Sequence, residues 1–249
     1  AYLSEWSDLF HGAWLRRDRD RIASWTWKAS ESPLGLCVPP DKSNLAEWRY
    51  NLAGRICGQG LKNDNILSNH TGTTFEGGFA ICGRVKTCSS GHFAEGQIDE
   101  TIVAHVDLAF IALPDGHTVV GLQRAFTPYR SVLTEVKGLH LNIPNDVYND
   151  HMRTYYTADG AQSLSGNPGT EEWLAFSEWW LNIENQLGVI GIYGNGEFGL
   201  YRPASPQVTI KGERASRVGG ILYADEVCFG CNLEKGFYDA ETTLFDIGF

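Results

Sequence analysis

Two residue groups in this 249-residue chain have the types and spacing for acid–base chemistry. In "HVDLAFIALPDGHTVVGLQRA" (105–125), His105 and Asp107 stand two apart, and in a strand both side chains then share a face. A carboxylate can orient an imidazole, and the two together can also ligate a metal. A turn at Asp115-Gly116 sets Asp107 opposite Arg124, so the other reading is a cross-strand ion pair beside a half-buried histidine. In "GLHLNIPND" (138–146), His140 and Asn142 share a face while Leu139 and Leu141 point to the core. With Asn145, Asp146 and Arg153 they would line a groove for an acidic or polyhydroxylated ligand, where an arginine can hold a carboxylate through two hydrogen bonds. Turn formation by Asx side chains is the plainer explanation of Asn145-Asp146.

Other groups are weaker. His70 and Glu76 in "SNHTGTTFEGG" could act as base and acid on a loop, but no third group positions them. Trp25, Trp27, Trp173, Trp179 and Trp180 offer flat faces that suit a sugar ring, although most tryptophans in β-sandwiches are core. His117 reads as a residue flanking a turn. The six cysteines include one CxxC, Cys228–Cys231, and the next pair, Cys82 and Cys88, lies some 140 residues away. A structural zinc site usually shows two tight pairs, so free thiols or a few disulfides fit better. The acidic stretch around Asp99 leaves room for a structural divalent cation, and no other cofactor is expected. No nucleophile elbow, P-loop, zincin or dinucleotide fingerprint is present.

These residues need a scaffold, and composition bounds it. The net charge of −10 argues against a nucleic-acid partner, because phosphate binders present basic patches. No run of 18 apolar residues occurs, so no membrane span is expected. The chain opens on Ala1 without a leader-like stretch, which fits a processed or trimmed chain. One Met, eight Trp and 28 Gly have a secreted or cell-surface flavour.

Hydrophobic patterning divides the chain into an N-terminal mixed segment, 1–64, and an antiparallel β domain, 65–249. A short helix from Ser4 and a second over 41–56, with Leu45, Trp48, Leu52 and Ile56 on one face, are expected in the first part. Residues 21–29 read alternatively as a strand, Ala23, Trp25 and Trp27 alternating against Ile22, Ser24 and Thr26. From residue 65 onward, short apolar runs follow one another between Gly, Pro, Asn and Asp turns. The Asp-Gly turn, of type I′, pairs Ala112 with Val119, Phe110 with Gly121 and Leu108 with Gln123, so both faces near the turn are apolar. That hairpin should be covered on both sides.

The runs "AHVDLAFIALPDGHTVVGLQRAF" and "EVKGLHLNIPNDVYNDHMRTYYTADG", with "WLNIENQLGVIGIYG" and the closing "FYDAETTLFDIGF", resemble the β-supersandwich domain of polysaccharide lyases of the hyaluronate-lyase-like and heparinase-like groups. The resemblance covers roughly residues 70–249. It implies an all-β fold, a large antiparallel multi-sheet sandwich, here with one or two short N-terminal helices. It implies acidic or neutral polysaccharide as partner and β-elimination as chemistry, but carries over no catalytic residue set; by residue type, His105, His140 and Tyr148 are the candidates for moving protons and Asn142, Asn145, Asp146, Arg153 and Arg124 for binding substrate. The family's helical toroid is missing, so an upstream helical domain or a second chain would complete such an enzyme. The alternative is a non-catalytic carbohydrate-binding or structural module.

Overall fold

A computed structural model describes residues 4–28, 32–40, 49–51, 54–60, 62–92, 98–145, 152–165, 170–203, 207–210, 213–216 and 223–249. Every regular element among them is a β-strand. The first helix expected is instead a hairpin, β1 (Ser4–Asp8) and β2 (Ala13–Arg17). Asp8 Oδ1 accepts the amides of Phe10 and His11 at 2.9 and 3.1 Å, so the aspartate organises a turn where a helix would have continued. Residues 21–29 follow the strand alternative. In β3 (Ile22–Thr26) Ala23 and Trp25 are buried and their neighbours half-buried, and Trp14 of β2 faces Trp25 across the ladder. Of the second expected helix, residues 41–48 lie outside the described residues, and the flanking Arg49–Asn51 and Arg55–Gly58 are strands.

The nine-stranded sheet runs β1, β2, β3, β4 (Leu34–Val38), β5 (Arg49–Asn51), β12 (His140–Asn145), β21 (Tyr223–Cys231), β18 (Glu197–Arg202) and β15 (Glu172–Ala175). A five-stranded sheet runs β23 (Thr243–Gly248), β10 (Val119–Phe126), β9 (Ile98–Ala112), β8 (Gly78–His92) and β7 (Lys62–Phe75). Three strands, β22 (Gly236–Tyr238), β11 (Ser131–Lys137) and β6 (Arg55–Gly58), form a third sheet. The fourth holds β14 (Gly160–Ser165), β13 (Met152–Thr157), β16 (Trp180–Ile183) and β17 (Leu187–Ile190). β19 (Gln207–Ile210) and β20 (Glu213–Ser216) make the last.

The expected single supersandwich with N-terminal helices is therefore corrected. Five antiparallel sheets, as in a five-bladed β-propeller, take its place, and they are of unequal width. The physical reason is that alternation tells which face of a strand is buried and nothing about which strands pair. Strands from both sides of residue 64 share the nine-stranded sheet.

The nine- and five-stranded sheets meet across aromatic contacts. Trp25 lies 5.2 Å from Phe110 between ring centroids, and Trp27 stacks on His70 at 5.9 Å. Gly72 of β7 admits this approach, since a Cβ there would fall 2.4 Å from the Trp14 ring. His70 thus sits on a strand against two tryptophans, not on a loop with Glu76.

The β9–β10 register is the one expected, from Ala112 opposite Val119 to Asp107 opposite Arg124. The turn itself differs. Only Gly116 has a positive φ, 74°, and Asp115 Oδ1 accepts the amides of His117 and Thr118, each at 2.9 Å. The aspartate side chain does the work that a second left-handed residue would do in a type I′ turn. Val106, Leu108, Phe110 and Ala112 are buried, whereas the opposite face is only half-covered.

Candidate ligand-binding cavity

A cavity of about 370 Å³ opens where three sheets converge. Cys37 comes from β4, Phe110 from β9, and residues 117–121 from the turn and the first half of β10. Residues 186–190, Ile192 and Phe249 close the other side. The volume lies in the lower part of the roughly 300–1,000 Å³ range of small-molecule sites, and the lining is mostly aliphatic and aromatic, as such sites are.

Local sequence builds each wall. Glu184 and Asn185 both take positive φ, 53° and 54°, and the Gln186 amide donates to the Ile183 carbonyl at 2.9 Å. Glu184, Asn185 and Gln186 thus form a tight three-residue loop that pairs Ile183 with Leu187, joins β16 to β17 and turns Leu187 and Val189 into the core. The chain terminus is tied down by the Gly121 amide donating to the Phe249 carbonyl at 2.8 Å and the reverse bond at 3.0 Å. Gly121 makes room for the Phe249 ring, since a Cβ there would come within 2.1 Å of it. Ile192 follows because its amide donates to the Gly248 carbonyl at 2.7 Å.

Behind the 117–118 wall lies a buried ion pair. Arg21 is 1% exposed, contacts Asp18 at 2.5 Å through Nη2, and donates to the Thr118 carbonyl through Nη1. Asp18 also accepts from Arg16 at 2.8 Å. The Thr118 hydroxyl, with the His117 and Thr118 amides, holds the Asp115 carboxyl down at about 2. Burial pushes the Cys37 thiol up to about 12, even beside Arg21, so Cys37 presents a neutral thiol. Gln186 contributes to the lining, but its Oε1 is buried, with essentially no accessible surface and no hydrogen-bond partner among the described residues.

The residues singled out from sequence fall elsewhere. His105 lies on β9, opposite Lys86 and Phe126, with its ring edge-on to Phe126 at 5.4 Å. Burial, with Arg84 and Lys86 nearby, lowers its pKa. Asp107 is held by Arg84 of β8 through two bonds of 2.5 and 2.8 Å, and Arg124 leans 4.0 Å from Asp246 instead. A hairpin argument sees only the partner on one side of β9; the second neighbour, β8, supplies the better-placed guanidinium.

His140 and Asn142 occupy β12, and the core-facing Leu139, Leu141 and Ile143 are buried as the alternation requires. His140 is itself buried, opposite Cys228, and desolvation lowers its pKa. Close by, Arg55 contacts Glu135 at 3.0 Å, while Lys137 reaches Glu135 and Glu226 at 3.5 and 3.6 Å. Each cation of this network thus faces a carboxylate. Asn142 pairs in register with Glu226 and Asn145 with Tyr223. Arg153 lies buried on β13. Asp146 and Tyr148 lie outside the described residues. His105, His140 and Arg153 therefore stand on three different sheets.

Trp25 and Trp27 are core, whereas Trp179 and Trp180 are partly exposed beside the cavity's lip. Cys228 and Cys231 are free and buried. No group of three metal-ligating side chains is found among the described residues. No helix among them is long and apolar enough to cross a membrane. No family model, curated protein or solved structure matches this chain.

Sequence reasoning passed over the cavity residues. The signals that could have pointed to them are Glu184-Asn185 as a turn and the charge-free run "LGVIGIYG" that follows it.

Proposed function

We propose that this protein is a non-catalytic binding module that holds one small, largely apolar molecule in the cavity between β4, β10 and β17. The observation that carries this reading is the cavity itself. Its roughly 370 Å³ are lined mainly by apolar side chains. The Cys37 thiol in the lining is held neutral by burial, and no carboxylate lines the cavity. An elimination enzyme acting on acidic glycans needs a proton acceptor, a proton donor and a cation for the uronate within reach of one sugar. His105 and His140, the described candidates for proton transfer, stand on separate sheets, and the cations near His140 already face carboxylates.

The experiment is a titration with N-phenyl-1-naphthylamine, whose fluorescence rises in apolar surroundings. Saturable binding of one dye per chain supports the reading. The decisive variant is Gly188→Trp: Gly188 is an exposed residue of the cavity's lining, and a Cβ built there meets no atom within 4 Å, so a large side chain is accommodated at the cavity's edge without disturbing the fold. Binding should fall at least tenfold in that variant.

A further inference from the structure

The end of β23 ties two walls of the cavity together, and the residue after it carries a side chain that sets the cavity's size. Gly248 pairs with Leu122 of β10 on one edge and with Tyr193 on the other. The Ile192 amide donates to the Gly248 carbonyl at 2.7 Å, and Gly121 and Phe249 exchange bonds of 2.8 and 3.0 Å. Backbone hydrogen bonds thus run from β10 through 248–249 to residues 192–193, and this stretch is a fixed wall.

The Phe249 ring is the adjustable part of that wall. Its tip occupies the space where a side chain at position 121 would begin: a Cβ built on Gly121 comes 2.1 Å from Phe249 Cζ and 2.3 Å from Cε2. Gly121 stands opposite Phe110 of β9, and all three residues line the cavity. Along β10, Val119, Val120 and Gly121 line it and Leu122 does not, so the cavity ends where the ring is seated.

Volume bounds the occupant. An apolar cavity of about 150 Å³ accepts one benzene. At about 370 Å³, this cavity has room for a compact molecule of roughly two to three rings, or a short chain of equal bulk.

We infer that Phe249 is the specificity-determining residue of this site: its ring, seated on Gly121, closes the cavity at that end and restricts it to compact apolar ligands. The inference rests on the binding reading above.

The test uses the full chain with N-phenyl-1-naphthylamine bound, displaced by n-alkylbenzenes from toluene to decylbenzene. Each methylene that enters the cavity should tighten binding about fourfold. In the wild type the gain should stop at the member that reaches the Phe249 ring. In Phe249→Ala it should continue for about two further methylenes or more, so that the longer members gain more than about tenfold over wild type, each relative to toluene. Phe249→Leu, which removes the ring tip alone, should shift the stop in the same direction by a smaller step. Gly121→Ala should drive the ring tip off its seat into the cavity and weaken dye binding about fivefold, whereas in the Phe249→Leu background it should change binding less than about twofold.

The inference is overturned if affinity rises to the end of the series in the wild type, if both Phe249 variants stop at the same member as wild type, or if Gly121→Ala acts equally in both backgrounds. A failure of the binding reading looks different: the dye then shows no saturable site in the wild-type chain, or binds Gly188→Trp as well as wild type. Circular dichroism and melting temperature establish that each variant is folded.

Discussion

Replacing Arg21 by Met tests how the cavity's polar wall is held. Arg21 is 1% exposed and Asp18 8%, so the pair is shielded from solvent, unlike most surface ion pairs. The substitution keeps most of the aliphatic stem but strands two groups. Asp18 keeps only its bond to Arg16, and the Thr118 carbonyl loses its guanidinium donor. Removing one partner of a buried pair costs about 3–5 kcal/mol, because the remaining charge stays desolvated. At about 2–4 °C per kcal/mol for a chain of this size, the melting temperature should fall by roughly 6–20 °C. Replacing Asp18 by Leu as well removes the stranded charge and should restore a good part of that loss. Thermal unfolding followed by near-ultraviolet circular dichroism measures all three variants, including Asp18→Leu alone. A drop under about 2 °C for Arg21→Met, or no recovery in the double variant, would refute the clasp. Because Thr118 lines the cavity, dye affinity should also weaken in Arg21→Met well below its melting temperature.

Three further outcomes follow from the same geometry. Thiol titration of the native protein with an aromatic disulfide at pH 8 should label the exposed Cys82 first. Cys37 should react only on unfolding, since burial pushes its pKa up to about 12; rapid native labelling of Cys37, mapped by mass spectrometry, would contradict this. Asp115 has its folded pKa depressed to about 2 from 3.8, so its stabilising effect is complete above about pH 4 and is lost as the pH falls toward 2. Asp115→Ala should therefore flatten the acid limb of a stability–pH curve over that window, and an unchanged limb would remove Asp115 from the account. Finally, a double-mutant cycle should find coupling of up to about 1 kcal/mol between Arg84 and Asp107, which are only partly buried, and none between Arg124 and Asp107.

The parts of the fold that local rules govern were legible in the chain. Alternation separated Ala23, Trp25 and Trp27 from their neighbours, the set that the structure buries, and the Asp-Gly turn set the β9–β10 pairing to the residue. The N-terminal hairpin was not legible as such, because "SEWSDLFHGAWL" carries helix-cap residues whose side chains instead stabilise a turn. The number of sheets was hidden for a deeper reason. Sheet membership depends on pairings such as β10 with β23 or β5 with β12, which join residues about 90 to 120 positions apart and leave no local periodicity.

The candidate site shows the same limit. Histidines and carboxylates at spacing two drew attention to the far end of the hairpin, where Arg84 and Phe126 tie His105 and Asp107 into the sheet. The turn end, where His117 looked incidental, forms a wall of the cavity. That cavity is assembled from residues 37, 110, 117–121, 186–190, 192 and 249, and its residues are mostly of the apolar kind that a search for reactive groups ignores.

The central claim is that the space between β4, β10 and β17 receives an apolar molecule. The most direct measurement is a fluorescence titration of N-phenyl-1-naphthylamine against the wild-type chain and Gly188→Trp at equal, verified folding. The account predicts one saturable site per chain in the wild type and at least tenfold weaker binding in the variant. Equal binding by the two proteins, or no saturable binding by either, would contradict it.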